Sequence, residues 1–217
     1  MPLSIDIISD VVCPWCYIGK RRLEAALELY RERNPGAGEP QVAYHPFELN
    51  PDVPREGIAR AEYIAKKFGA RGYGGHDRLV QAGAPLGIPF AFDKIQRQPN
   101  TLAAHALIEA ARRSGVQPAV KEALMKAFFV DGLDLTDTET LVRTAAQAGL
   151  ERQEAEAAIA DEELRRAVAQ EEEGARGMGV QGVPFFIFNK RLAVEGAQPP
   201  EVLLEAMLEA EKESTAA

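Results

Sequence analysis

The sequence predicts an α/β domain whose chain is interrupted by an all-α helical block. Strand-like sequence occupies the two ends while helical periodicity fills the middle. A Cys-x-x-Cys pair falls where the first strand hands over to the first helix, and Gly182-Val183-Pro184 leads a late apolar strand. The 217 residues, 46% hydrophobic and 27% charged, suffice for a sizeable core without a disulfide or metal staple.

Residues 4–8 read as a short, largely buried strand and residues 10–12 as its exit. From Pro14 a helix begins, with Leu23, Leu27 and Tyr30 on one face; Pro14 suits the first turn, where its missing N–H is no loss. After the break at Asn34-Pro35-Gly36, residues 41–49 read as a second strand, with His45 a packed strand residue, and residues 50–54 as a loop. Residues 59–172 then carry helical period almost throughout. Pro99-Asn100-Thr101 opens a helix bearing His105, Val120, Leu124, Ala127 and Phe128 mark another, and Thr136-x-x-Glu139 has the spacing of a capping box. The strand signal returns at residues 182–188, Asn189-Lys190 fits a tight turn, and residues 191–195 can pair back as a hairpin. A last helix starts near Pro199-Pro200. The expected division is residues 1–55 with 175–217 as one discontinuous domain and residues 56–174 as the insert.

A formal charge of −8 with acids along most of the chain argues against a nucleic-acid partner. The apolar run at residues 183–188 falls far below the roughly 20 residues that span a bilayer, so no membrane helix is expected. The first residues show neither a basic region nor an apolar one, which leads us to expect a cytoplasmic protein.

In that compartment structural disulfides are rare, and Cys13 and Cys16 are the chain's two cysteines. A structural disulfide here would close a tiny loop, and a zinc site would need ligands that His45, His76 and His105 do not supply in any local pattern, so no metal is expected. Redox chemistry fits better than inert thiols. The free N–H groups and dipole of a helix start favour a thiolate, making Cys13 the nucleophile with a lowered pKa and Cys16 the better-shielded resolving thiol. Trp15 between them adds bulk without an imidazolium, which predicts a less oxidising couple than a histidine there would give.

Cys13-Pro14-Trp15-Cys16 at a helix start, Val183-Pro184 before a late strand and the helical insertion together resemble the DsbA-like branch of the thioredoxin superfamily. Residues 9–19, Pro99-Asn100-Thr101 and Gly182-Val183-Pro184-Phe185-Phe186 are similar to its FrnE-like subgroup. The resemblance covers essentially the whole chain. It implies a thioredoxin-like domain with an inserted helical domain, Cys13 as nucleophile, Cys16 as resolving cysteine and Pro184 as a cis proline. A substrate strand would pair with Val183 beside Trp15. Asp6 reads either as the buried acid that takes the Cys16 proton or as a surface carboxylate, and Asn100 as a substrate contact from the insert. The implied activity is thiol–disulfide exchange with protein or small-molecule disulfides and dithiols. No resident cofactor is implied, and glutathione enters as a candidate co-substrate. Two other functions stay open: a glutathione-dependent isomerase or transferase of the 2-hydroxychromene-2-carboxylate or kappa type, whose members carry serine where Cys13 stands, and a chaperone-like binding protein.

Overall fold

The structure, a computed structural model, describes residues 2–69 and 74–215. The expected domain ranges also include residues 1, 70–73 and 216–217, which lie outside the described residues.

Strand β1 (Ser4–Ser9) passes through the Cys-Pro-Trp-Cys turn into helix α1 (Pro14–Arg33), which returns the chain to β2 (Gln41–Pro46). β1 and β2 pair in parallel, Ile5 opposite Val42 and Ile7 opposite Tyr44; parallel neighbours need a crossover, and α1 supplies it. On the other side of β1 lies β5 (Phe185–Phe188), antiparallel with Ile7 opposite Phe186, followed by β6 (Leu192–Glu195), so the sheet order is β2-β1-β5-β6. Asn189 and Lys190 join the last two strands with φ of 48° and 57°, the left-handed pair that a two-residue hairpin turn requires. β5 starts after Pro184, which has no N–H to give a ladder.

Alternation along β1 assigns the two faces. Ile5 and Ile7 join Phe186 and Phe188 in the main core with residues of α1 and of helix α9 (Pro200–Thr215). Ile8 points the other way, into a smaller cluster with Phe47, Ala175 and Val180.

Between β2 and β5 the chain forms helices α2 (Arg60–Phe68), α3 (His76–Gly83), α4 (Leu102–Arg113), α5 (Gln117–Lys126), α6 (Thr138–Gln147), α7 (Arg152–Ala160) and α8 (Glu162–Gly177). Helix does not fill this block as the periodicity suggests. A two-residue antiparallel ladder joins β3 (Ile58–Ala59) to β4 (Arg97–Gln98), and the path from α3 to α4 is largely irregular. Gly87 at φ 70°, Pro89 and Pro99 explain this, since each breaks a helical run. The cap of α6 also shifts: Asp137, not Thr136, accepts the Thr140 N–H at 2.9 Å, and Thr136 turns to Asp134. No helix among the described residues is long and apolar enough to cross a membrane.

The insert packs directly on α1. The Tyr17 ring meets Phe90 edge-on and stacks against Phe129, its hydroxyl donates to Glu122 at 2.7 Å, and Lys20 pairs with the same carboxylate at 2.9 Å.

Candidate active site

The site grows from the carboxyl end of β1. Ser9 and Asp10 are buried, Val11 and Val12 anchor the turn in the core, and Cys13 stands at the N-cap of α1 in extended conformation. With Pro14 in the first turn, the Cys13 carbonyl accepts the N–H of Cys16 at 3.0 Å and of Tyr17 at 3.3 Å. No side chain caps this helix start.

Facing it is the Val183–Pro184 peptide, which is cis. The Cys13 thiol donates to the Val183 carbonyl at 3.5 Å, so the two segments meet although 170 residues separate them. Gly19 makes the approach possible. A Cβ there would lie 2.8 Å from Pro184 Cγ and 3.3 Å from the Phe186 ring, and any larger residue would push the proline loop away from the helix. Trp15 is half-buried at the rim, with the Arg78 guanidinium of α3 over its ring at 5.4 Å.

Both cysteines are unbonded and covered, Cys13 at 4% and Cys16 at 2% exposure. Exposure therefore does not separate nucleophile from resolving thiol in the way the helix-start position suggested. The surroundings of Cys16 oppose its ionisation. Burial, and then the neighbouring Cys13 sulfur, push the Cys16 thiol well above its ordinary value, while Lys121 and the Asp10 backbone N–H oppose the rise.

Beneath the pair lies a dry cluster of ionisable groups from three elements. Asp10 has no exposure; its carboxylate accepts the Leu49 N–H at 2.8 Å and lies 3.4 Å from His105 Nε2 of α4. Burial resists its ionisation, yet His105, the Leu49 N–H and Lys121 together hold it below the usual carboxylate range. Lys121 of α5, also at 0% exposure, donates to the Ser9 carbonyl at 3.4 Å and sits over the Tyr44 ring at 5.9 Å.

Two expected site residues are placed elsewhere. Asp6 is not the acid beneath Cys16. The period of two along β1 sends it to the face of Ile8 and Ile187, where it bonds His45 Nε2 at 2.9 Å while Glu171 of α8 holds Nδ1. Asp10, just past the end of β1 where the alternation no longer applies, is the acid on the dithiol side. Asn100 is occupied at the helix start: its Oδ1 accepts the Leu102 N–H at 3.0 Å and its Nδ2 donates to the Val53 carbonyl at 3.1 Å, so these bonds hold the α4 start rather than face the dithiol. Lys121 was missed, although a signal existed. Gln117, Val120, Lys121 and Leu124 share the buried stripe of α5, so a lysine stands where the helical period calls for an apolar side chain. Among the described residues no group of three or more His, Cys, Asp or Glu side chains is arranged to hold a metal.

Comparison with known proteins places the fold. The model of the DSBA-like thioredoxin domain matches residues 4–208. A crystal structure described as a probable DsbA oxidoreductase of Streptomyces coelicolor is 31% identical, with a TM-score of 0.86 over 97% of this chain and 91% of that one. The cytosolic disulfide reductase DsbM of Pseudomonas aeruginosa, solved with glutathione, shares the fold at 22% identity and a TM-score of 0.67, over 95% of this chain and 99% of that one. The uncharacterized protein YwbO of Bacillus subtilis is 24% identical over 151 residues, 70% of this chain and 68% of its own length.

Proposed function

The chain belongs to the DSBA-like thioredoxin domain family, and from that premise we propose that it is a thiol–disulfide oxidoreductase working through Cys13 and Cys16. The observation that carries the reading is the meeting of Cys13, at an uncapped helix start, with the Val183 carbonyl before Pro184. The backbone N–H groups of the first turn stabilise a sulfur anion at Cys13. Cys16, held protonated by burial, waits as the resolving group.

The exchange runs in two balanced steps. Cys13 thiolate attacks one sulfur of a substrate disulfide R–S–S–R′, forming Cys13–S–S–R and releasing R′–S⁻. Cys16 then attacks the Cys13 sulfur, the Cys13–Cys16 disulfide forms, and R–S⁻ departs with the proton that Cys16 gives up. Two electrons pass from the dithiol to the substrate, and the reverse sequence oxidises a dithiol. Val183 and the half-buried Trp15 flank the sulfur that substrate must reach, so they form the contact surface for the substrate chain. Residues 1–55 with 175–217 would be the catalytic domain and residues 56–174 the insert that covers it, in a FrnE-like chain working in the cytoplasm. Protein disulfides and small disulfides are both candidate substrates. Glutathione, which the DsbM structure carries, is the first small thiol to test.

The test is insulin reduction and hydroxyethyl-disulfide reduction by the wild-type protein and by Cys13→Ala. Turnover by the wild type and a loss of at least about 10³-fold in the variant is the expected result, since the exchange has no route without the attacking thiolate. Equal rates for the two proteins would overturn the assignment.

A further inference from the structure

A lysine with no exposed surface lies under the dithiol, and the exchange described above makes no use of it. Two observations tie it to the redox pair. Its Nζ donates to the carbonyl of Ser9 at 3.4 Å, and the carbonyl of the very next residue, Asp10, accepts the Cys13 N–H at 3.3 Å. Two consecutive peptide units therefore lead from the ammonium to the cysteine at the helix start. The lysine is also firmly placed: the adjoining Glu122 is gripped by Tyr17 and Lys20 of α1, so α5 cannot slide along the helix that bears the cysteines.

We propose that Lys121 is a positioning residue of the dithiol, through which the inserted helical block sets the redox poise of Cys13 and Cys16. Its ammonium holds the Ser9–Asp10 segment to which the Cys13 N–H is bonded and stabilises negative charge on the sulfur pair. The disulfide carries no such charge, so the lysine favours the reduced form. The inference rests on the exchange reading above.

Burial draws the Lys121 ammonium down to about 8, against the pull of Cys16, Asp10 and Cys13. The other charged or titratable groups packed around it are Lys20 on α1, which opposes its charge, Tyr44 on β2, His105 on α4 beyond Asp10, and Glu122 beside it. Its influence is therefore present below about pH 8 and fades above it.

The experiment compares the equilibrium of the Cys13–Cys16 couple with a glutathione or dithiothreitol buffer in wild type and Lys121→Met, from pH 6 to pH 9.5. At pH 6.5 the variant should be harder to reduce by about tenfold, which is about 30 mV for a two-electron couple. The gap should close above pH 8. Lys121→Arg, charged at every accessible pH, should keep the wild-type potential at pH 6.5 and lose the break near pH 8. An unchanged potential in Lys121→Met, or a shift of equal size at every pH, overturns the proposal. Should both variants fail to fold, ¹⁵N NMR of the Lys121 amine in the wild-type protein decides: its titration midpoint should fall on oxidation, when the thiolate is lost, and equal midpoints in the two redox states refute the idea. A wild-type couple that cannot be reversibly reduced would instead defeat the exchange reading itself.

Discussion

The two faces of the central sheet carry similar ionisable groups with different physical status. On the α1 side, Asp10, His105 and Lys121 lie beneath the dithiol at 3% exposure or less. On the α8 side, Asp6, His45 and Glu171 line an open groove of about 510 Å³ with Arg112 and Lys190, and their side chains keep between 23% and 36% exposure. Each set joins a histidine to a carboxylate. Water makes the difference, because it screens the second set and leaves the first to interact at low dielectric. The exchange we propose takes place beside the dry cluster, whereas the wet one ties β1, β2 and α8 together.

The sharpest way to break that contrast is to remove one carboxylate from each face. Asp10→Ala leaves the Leu49 N–H and His105 Nε2 buried without their acceptor and takes the nearby negative charge from buried Lys121, and should cost about 3–5 kcal/mol in urea unfolding. Asp6→Ala should cost no more than about 1 kcal/mol and leave insulin reduction within twofold of wild type. Comparable losses in the two variants would show that the faces are not different in kind.

Glu48 sharpens the comparison from between the clusters. Its carboxyl, bonded by the Thr101 N–H at 3.0 Å, is raised to about 7 by burial first and then by Glu172 and Asp10. The folded protein thus keeps a proton that the unfolded chain has released, so stability falls as pH rises from about 4.5 to 7. Glu48→Gln should match wild type near pH 4.5 and exceed it by roughly 1–3 kcal/mol at pH 8, as thermal unfolding across that range would show. A parallel pH dependence in the two proteins would count against it.

The smallest effect belongs to His45. Burial opposes its charge, but the bonds to Glu171 and Asp6 outweigh this and raise its pKa above the ordinary 6.5. The stabilisation it provides is complete below about pH 6.5 and is lost as pH climbs through the raised value. His45→Gln should therefore be less stable than wild type by up to about 1 kcal/mol at pH 5.5 and converge with it at alkaline pH. Chemical denaturation at the two pH values checks this; a gap that widens with pH would reverse the assignment.

Much of the architecture was legible in local pattern. Strand alternation at residues 4–8, the Pro14 helix start and the Asn189-Lys190 turn are features a few residues long, and the structure realises them within one or two positions. The irregular path between α3 and α4 was harder to read because apolar residues such as Phe90 and Phe92 imitate a helical stripe while packing against Tyr17 and Phe129 without one. The sequence left Asp6 open between a buried acid at Cys16 and a surface carboxylate, and the structure selects a partly exposed position beside His45. Nearness to Cys13 along the chain does not say which side of a strand a carboxylate faces, and only the pairing of β1 with β5 decides that.

What the sequence alone determined is therefore what short-range geometry dictates: an α/β frame, a helical interruption, and a dithiol at a helix start with one cysteine a turn deeper than the other. What only the tertiary structure decided is which charges share the dithiol's dry surroundings. Asp10 arrives there because β1 ends at Ser9 and the chain turns before the alternation that governs Asp6 and Ile8 can place it, and Lys121 arrives from a helix 105 positions beyond Cys16, inside an insert whose packing against α1 no local periodicity encodes. Burial and long-range contact are properties of the folded chain, and they set the energies of its ionisable groups.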